Sequence, residues 1–186
     1  MKSYLKGEQE TARIIKYMSK LFRKLLEWDN DLIRIREEIE FIQEFLLIQQ
    51  YRFDDELSFE FSVDESSKNY LIPKMILQTL VENACVHGIE SITTPGKIGI
   101  RIIHKGDQIH CSISDNGAGL DLQKLEHIRA IIKNPDQPSS SVGIKNVVRR
   151  LMLNYGNDFQ LTVQSEKNIM TEMKLIFPAQ KGKEGI

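Results

Sequence analysis

The hydrophobic pattern of this 186-residue chain changes its period near Phe53. Before that point apolar residues recur every three to four positions, which predicts one amphipathic helix over residues 8–28 and a second from Ile35 to Phe53. Trp28-Asp29-Asn30-Asp31 separates the two with turn and N-cap chemistry. From Leu57 to Val63 apolar and polar residues alternate, as in a half-buried strand. The change of period predicts a helical hairpin in residues 1–53 and a second domain in residues 54–186.

Each of the two helices carries a wide apolar stripe. Two such helices cannot bury both stripes fully against each other. We therefore expect the hairpin to pack on a partner, most simply as a homodimer through these N-terminal helices.

The second domain alternates strands and helices. After the strand from Leu57, we expect helices at Pro73–His87, Asp121–Ile132 and Gly143–Asn154, with Pro73 in the first helical turn. Two hairpins are also expected, one joining Lys97–Ile103 to Ile109–Ser114 across His104–Asp107, and one joining Phe159–Ser165 to Ile169–Phe177 across Glu166-Lys167-Asn168. This order predicts an α+β sandwich, a mixed or antiparallel sheet with helices on one face.

Composition excludes several classes of function. Twenty-five Lys and Arg residues against 26 Asp and Glu residues give a net charge of −1, without the basic excess of a general nucleic-acid binder or a polybasic membrane anchor. No apolar run reaches the 18 or so residues that span a bilayer. The two cysteines, Cys85 and Cys111, lack zinc-ligand spacing and favour a reducing compartment.

The segment Ser114-Asp115-Asn116-Gly117-Ala118-Gly119-Leu120 follows a predicted strand directly. Two glycines one residue apart let the backbone approach a ligand closely and expose N–H donors. The carboxylate of Asp115 can accept a hydrogen bond from a neutral amine, such as the exocyclic amino group of a base. A tight turn with no ligand is the alternative, and the segment alone does not decide between them.

The helix that contains Glu82-Asn83-Ala84-Cys85-Val86-His87 is apolar on both sides of these polar residues. Asn83 and His87 lie four positions apart and share a face, with Glu82 beside them. A buried polar cluster is expensive unless something polar fills the space next to it, and an Asn oxygen suits Mg²⁺ that also binds phosphates. The alternative is the solvent-facing edge of an ordinary amphipathic helix.

A third feature is the small-residue run from Ser139 to Asn146, which begins a predicted helix. Helix N-termini of this kind bind phosphate through free N–H groups and the helix dipole, although simple serine capping is the alternative. The preceding residues 133–142 contain two prolines and three serines, which predicts a mobile surface loop.

In this order, an E-N-x-x-x-H helix, a strand ending in D-N-G-x-G and a loop closing on G-I-K-N resemble the Bergerat (GHKL) ATP-binding fold of histidine kinases and type II topoisomerases. The run from Ile72 to Ala84 resembles the I-P-x-x-x-L-Q-x-L-V-E-N-A segment of LytS-type sensor histidine kinases. Leu46–Phe53 and Gly143–Leu151 resemble the same family. The similarity covers residues 10–178.

The resemblance implies a role for each matching residue. Asp115 would bind the adenine amino group beside Gly117 and Gly119, with Thr171 near that aspartate. Asn83 would ligate Mg²⁺, and Glu82 would polarise or deprotonate the nucleophile. His87 would contact phosphate or ribose, residues 133–142 would form a lid, and Gly143 and Asn146 would lie near the phosphates.

Three positions depart from the family pattern. Val86 stands where many relatives have a lysine, Ser141 stands where the lid motif has its first glycine, and Met170 replaces a glycine before the threonine. Each change is expected to weaken nucleotide binding.

The phosphoacceptor segment of the family, a P-H-F-x-x-N-type sequence, has no match here, and the four histidines all lie at or after residue 87. His104, His110 and His127 lie in the nucleotide domain itself and are expected to be surface or core histidines. The resemblance implies the cytoplasmic catalytic part of an inner-membrane sensor kinase, reaching the membrane only through upstream segments. It would use ATP and Mg²⁺ to phosphorylate a histidine outside this chain, for relay to the receiver domain of a response regulator.

Two alternatives remain at this point. The chain is either a catalytically weakened nucleotide-binding or dimerisation module, which Val86 and Ser141 favour, or a serine kinase of the anti-sigma type on the same fold. The long N-terminal helices argue against the second.

Overall fold

The computed structural model describes residues 11, 14–23, 26, 30–53, 56–137 and 141–182. Residues 14–23 are helical (α1), inside the range predicted for the first helix. Trp28 and Asp29 of the predicted break, Asp54 at the predicted boundary, and Ser139 and Ser140 of the predicted lid lie outside the described residues. No helix in the described part of the chain combines the length and the apolar character needed to cross a bilayer.

The remaining helices are α2 (Ile35–Arg52), α3 (Ile76–Asn83), α4 (Leu122–Lys133) and α5 (Val142–Tyr155). The strands within the described residues are β1 (Leu32–Arg34), β2 (Leu57–Val63), β3 (Leu71–Pro73), β4 (Gly96–Lys105), β5 (Gln108–Asp115), β6 (Gln160–Glu166) and β7 (Met170–Pro178).

Five of these strands form one mixed sheet in the order β2-β4-β5-β7-β6. Only the β2–β4 pair is parallel, and the three other pairs are antiparallel. Buried residues alternate with more exposed ones along β4 and β5, since one face of the sheet packs on the helices. The predicted α+β sandwich with a mixed sheet is therefore confirmed.

Helix α2 packs on the sandwich through its apolar stripe. Ile35, Ile42 and Leu46 are fully buried and belong to the same hydrophobic core as the sheet and α3. α3 and β2 cover this stripe within the chain, so α2 is buried without the partner molecule that was expected for the hairpin. By contrast α1, which an ion pair between Lys20 and Glu44 joins to α2, exposes apolar side chains, among them Ile15 and Phe22.

A second, two-stranded sheet joins the chain before α2 to the chain before α3. β1 pairs antiparallel with β3, with Leu32 opposite Pro73 and Arg34 opposite Leu71. The predicted placement of Pro73 in the first turn of a helix was therefore wrong: it ends a strand, where its missing N–H removes no bond from a long ladder. The helix begins three residues later, at Ile76.

The two predicted hairpins are present with small shifts at their turns. β4 and β5 are joined by Gly106-Asp107, shorter than the predicted turn, with Gly106 at φ 64° in the left-handed region. β6 and β7 are joined by residues 167–169, where Asn168 has φ 61°. Asparagine tolerates this conformation better than most residues with a side chain.

The burial of α2 predicts that its apolar stripe stabilises the whole domain. Leu46→Ala should lower the free energy of unfolding by about 2–5 kcal/mol, because it removes a fully buried side chain and leaves a cavity. Leu153→Ala is the matched control, since Leu153 is 85% exposed on α5 and its loss should change stability by less than about 0.5 kcal/mol. Urea unfolding measures both, and an equal effect of the two would contradict the packing of α2 on the domain.

Candidate functional site

A cavity of about 1010 Å³ opens on the helix-covered side of the sheet. Its walls come from α3, α4, the start of α5 and the ends of β5, β6 and β7. Six of the sequence-predicted site residues line it: Asn83, His87, Asp115, Gly119, Gly143 and Thr171. The structure thus brings together residues that are up to 88 positions apart in the chain (171 − 83 = 88).

Asp115 is the buried acidic residue of this cavity, with 6% of its surface exposed. It ends β5, and its Oδ1 accepts a hydrogen bond of 2.9 Å from the backbone N–H of Gly117. Burial raises the pKa of Asp115 to about 6, an effect that the Gly117 hydrogen bond partly offsets. Because Oδ1 is engaged, Oδ2 is the oxygen left to meet a donor from a ligand.

The glycines around Asp115 allow close packing of protein segments. A methyl group at Gly88 would collide with the Asp115 carboxylate, and one at Gly117 would collide with the backbone of Gly88. Ala118 donates a hydrogen bond to the Gly88 carbonyl at 3.0 Å. Gly117 therefore allows the turn after β5 to pack closely on the backbone of Gly88. The sequence had instead predicted that this glycine lets a base approach the backbone.

Gly119 combines two constraints. Its φ is 61°, which favours glycine, and a methyl group there would collide with the carbonyl of Glu166 in β6. The neighbouring Ala118 carbonyl accepts a 2.7 Å hydrogen bond from Asn168 in the β6–β7 turn. The Asp-Asn-Gly-Ala-Gly segment is thus held between α3 and that turn, with Gly119 on the cavity wall.

Thr171 lies directly opposite Asp115 in the β5–β7 register. Its hydroxyl is 2.9 Å from the hydroxyl of Ser165, which in turn accepts the N–H of Leu120 at 2.8 Å. This arrangement agrees with the expectation that the threonine lies near the aspartate, and it also fixes the loop after Gly119.

The helix that carries Glu82 and Asn83 changes its form at its C-terminal end. α3 continues into a π-helical turn from Ala84 to Gly88, a feature that often marks functional sites. The Asn83 amide nitrogen donates to the Thr79 carbonyl at 2.8 Å, so its Oδ1 is available to the cavity. His87, in the π turn, is exposed and lines the same cavity.

Three sequence-predicted residues do not line the cavity. Glu82 is half-buried beside Asn83 and accepts a 2.7 Å hydrogen bond from the Gln78 amide. Gly117 is buried against the backbone of Gly88, and Asn146 is exposed on α5. Within the described part of the chain, no group of three or more His, Cys, Asp or Glu side chains is placed to hold a metal ion.

The start of α5 closes one side of the cavity. Ser141 occupies the N-cap position without a side-chain capping bond, and Val142, Gly143 and Ile144 follow on the cavity wall. A methyl group at Gly143 would lie 3.2 Å from the Thr79 methyl, so this glycine lets α5 approach α3. Free N–H groups at such a helix start suit an anion.

Sequence reasoning missed several residues of the site. Gly88 is required by the Asp115 carboxylate, and its position directly after the E-N-x-x-x-H segment was the available signal. Three apolar residues of the cavity lining were also missed: Ile113, Val163 and Met173. Strand alternation was the available signal for two of them, because Ile113 lies two residues before Asp115 and Met173 two residues after Thr171. Lys124 and Lys167 add positive charge to the wall, and no short motif marks them.

Comparisons with known families agree with this geometry. The model of the histidine kinase-, DNA gyrase B-, and HSP90-like ATPases matches residues 70–181, and a histidine kinase model matches residues 1–57. The sensor protein kinase HptS of Staphylococcus aureus is 27% identical over 169 residues, covering 91% of this chain. That alignment spans 32% of HptS, so the chain corresponds to about a third of this relative.

Solved structures of histidine kinases share the fold at low identity. The catalytic domain of the histidine kinase ThkA matches with a TM-score of 0.56 and 18% identity, covering 81% of this chain and 97% of that one. The mycobacterial sensor histidine kinase MprB gives 0.56 and 17%, covering 81% and 98%. AdeS of Acinetobacter baumannii gives 0.56 and 13%, covering 96% and 83%.

The fold, the cavity and the matching family models all indicate the same family. The family model of the ATPases covers the cavity-forming part of the chain, and the curated relative that matches 91% of the chain is named a sensor protein kinase. The chain therefore belongs to the histidine kinase-, DNA gyrase B- and HSP90-like ATPases and carries the ATPase domain of a sensor histidine kinase.

Proposed function

We propose that the chain is the catalytic part of a LytS-type sensor kinase, which binds ATP with Mg²⁺ in the cavity and transfers the γ-phosphoryl group to a histidine outside this chain. The observation that carries the proposal is Asp115, a buried carboxylate on the cavity wall whose Oδ1 accepts the Gly117 N–H and whose Oδ2 has no hydrogen-bond partner among the described residues. Its place at the end of a central strand suits a single directed hydrogen bond to an adenine amino group. Ile113 and Met173 beside it supply an apolar surface for a base.

The other polar residues of the cavity lining suit phosphates and a hard cation. Mg²⁺ commonly takes one or two protein oxygens and completes its shell with phosphates and water, and the free Oδ1 of Asn83 is such a ligand. A bound Mg²⁺ would offset charge on the phosphates. His87 and Gly143 also line the cavity and would bind phosphate or ribose, with Asn146 further along α5.

Glu82 is the residue we propose to act on the attacking nucleophile. Glu82 precedes Asn83 in α3, and the Gln78 amide donates a hydrogen bond to its carboxylate, which orients it without neutralising it. Phosphoryl transfer depends mainly on positioning and charge stabilisation, so one oriented carboxylate beside the cation site suffices for the role.

The partners follow from the same proposal. The apolar side chains exposed on α1, among them Ile15, Met18 and Phe22, form the surface that we propose for homodimer contact. A response-regulator receiver domain would accept the phosphoryl group. The full protein would be an inner-membrane sensor with this part in the cytoplasm.

One observation favours a second candidate, a nucleotide-binding module with weakened transfer. Val86, which stands in place of a family lysine, is 45% exposed at the π turn and supplies no charge there. Lys124 lines the cavity from α4, so the wall keeps a cation at a different place. Phosphotransfer assays separate the two candidates.

Nucleotide affinity should depend on the ionisation of Asp115. Since the pKa of Asp115 is raised to about 6, the carboxylate is present above that pH and lost as the pH falls through it. Affinity for a non-hydrolysable ATP analogue with Mg²⁺ should therefore fall about tenfold from pH 7.5 to pH 5, where roughly a tenth of Asp115 is ionised. Calorimetric titration at pH 5, 6 and 7.5 measures this change.

Asp115→Asn is the control for that titration. At pH 7.5 the variant should bind the analogue about ten- to a hundredfold more weakly, because a hydrogen bond to a charged acceptor is lost. Titration of the ligand phosphates is common to both proteins, so it cancels when their pH profiles are compared. Unchanged affinity of Asp115→Asn at pH 7.5 would refute the nucleotide assignment.

Incubation with γ-labelled ATP should leave this chain without label on histidine. No histidine precedes residue 87, and the four that occur lie in the ATPase domain. A version extended upstream should gain acid-labile phosphate, and this chain should phosphorylate an extended Asn83→Asp partner in trans. Label on a histidine of this chain would contradict the prediction, whereas transfer in neither setting would favour the weakened module.

A further inference from the structure

The start of α3 lacks a local cap. Its N-cap residue, Met75, lies in the left-handed region at φ 64° and has no side-chain acceptor for the first turn. The first N–H groups of any helix have no partner within the helix and must find one elsewhere when they are buried. Ile76, Leu77 and Gln78, the residues of this first turn, are all buried.

Glu38 of α2 supplies the acceptor from 40 positions away in the chain. Its Oε1 accepts the backbone N–H of Gln78 at 3.1 Å, and the N–H groups of Leu77 and Ile76 also face the carboxyl group and lower its pKa. Glu38 is completely buried. The side chain thus acts as the cap of a helix to which it does not belong.

This cap is electrostatically expensive. Burial raises the pKa of Glu38 to about 8, although the three helix amides and Arg150 of α5 act in the opposite direction. Cys111 of β5 and Tyr155 of α5 are the other titratable groups that interact with it, and burial raises the pKa of both above its usual range. Among the described residues, the Oε2 atom of Glu38 has no hydrogen-bond partner. A purely apolar side chain would avoid this cost. The acidic residue therefore indicates that a carboxyl group is needed here to hold the first turn of α3 in place.

The capped turn is linked to the cavity by a short series of hydrogen bonds along α3. The Thr79 hydroxyl donates to the Met75 carbonyl at 2.7 Å, and the Asn83 amide donates to the Thr79 carbonyl at 2.8 Å. α3 is only eight residues long, so a change in the direction of its first turn displaces Asn83 at its end.

The surrounding contacts hold the starts of α2 and α3 as one unit. Besides the β1–β3 ladder, the Lys74 N–H donates to the Asp31 carbonyl at 3.0 Å, and the Arg150 guanidinium donates to the Lys74 carbonyl. Within this unit Glu38 is the side chain of α2 that bonds directly to the first turn of α3.

We propose that Glu38 is a positioning residue, which transmits the placement of α2 to the first turn of α3 and thereby holds Asn83 in the orientation that binds the nucleotide. The inference rests on the proposed nucleotide binding, and amide exchange without nucleotide provides a readout that does not depend on it.

Three variants test this role. Glu38→Leu removes both oxygens, Glu38→Gln keeps an acceptor of the same length, and Glu38→Asp keeps a carboxyl group that is one methylene too short to reach Gln78. Leu46→Ala is the matched control, because Leu46 is also fully buried on α2 and its loss lowers stability without removing the cap.

Hydrogen exchange of the nucleotide-free protein at the amides of residues 76–78 is the first readout. Glu38→Leu and Glu38→Asp should accelerate exchange there by about tenfold or more, as expected when a buried hydrogen bond to a carboxyl group is lost. Glu38→Gln should stay close to the parent protein. Leu46→Ala should raise exchange throughout the core with no excess at residues 76–78.

The dissociation constant for the ATP analogue with Mg²⁺, measured at a temperature where each variant is folded, is the second readout. It should rise about tenfold in Glu38→Asp, corresponding to a binding-competent fraction near a tenth, and stay near the parent value in Glu38→Gln and Leu46→Ala.

Equal values for Glu38→Asp and Leu46→Ala in both readouts would overturn the proposal, and so would a Glu38→Gln variant as impaired as Glu38→Asp. If Glu38→Leu does not fold, the Asp and Gln variants still decide the question. A parent protein that binds no nucleotide would refute the proposed function, and the exchange data would still show whether Glu38 holds the turn.

Discussion

The site depends on the burial of one carboxylate, Asp115, at the end of a central strand. Burial raises its pKa to about 6, and the backbone N–H of Gly117 is the group that offsets part of this cost. Three chain segments must approach one another closely to create this environment, and glycines at 88, 117 and 119 make the approach possible. A carboxylate kept in such a place with one free oxygen is prepared for a directed hydrogen bond from a ligand.

The other parts of the site are arranged around that carboxylate. The β5–β7 register sets Thr171 opposite Asp115, and the hydroxyl pair of Thr171 and Ser165 holds the loop that follows Gly119. α3 approaches from the other side, with its π turn ending at Gly88 and its Asn83 oxygen free. The cavity lining thus combines apolar side chains of the sheet, among them Ile113, with the polar side chains of Asp115 and Asn83.

Much of this architecture could be predicted from the sequence because local patterns determine it. Alternation located β2, and the turn segments that contain Gly106 and Asn168 located both hairpins. The β1–β3 pair was missed because two three-residue strands are too short for a periodic signal, and Pro73 was then read as a helix start. Glu38 was missed for a different reason: on its helix it looks like one of several acidic residues, and only the tertiary contact with Gln78 shows that it is buried. The packing of α2 on α3 and β2 was not predicted either, since an apolar stripe does not reveal which surface covers it.

The choice between adenine and guanine nucleotides tests the central claim most directly. Adenine presents an amino group where guanine presents a carbonyl oxygen. The carboxylate of Asp115 would therefore accept a hydrogen bond from adenine, whereas with guanine it would face another hydrogen-bond acceptor. Calorimetric titration of the unmodified protein at pH 7.5 with Mg²⁺ and the non-hydrolysable analogues of ATP and GTP measures the difference. The account predicts that the GTP analogue binds roughly a hundredfold more weakly, because a buried acceptor would be left unpaired. Equal affinity for the two analogues would contradict it.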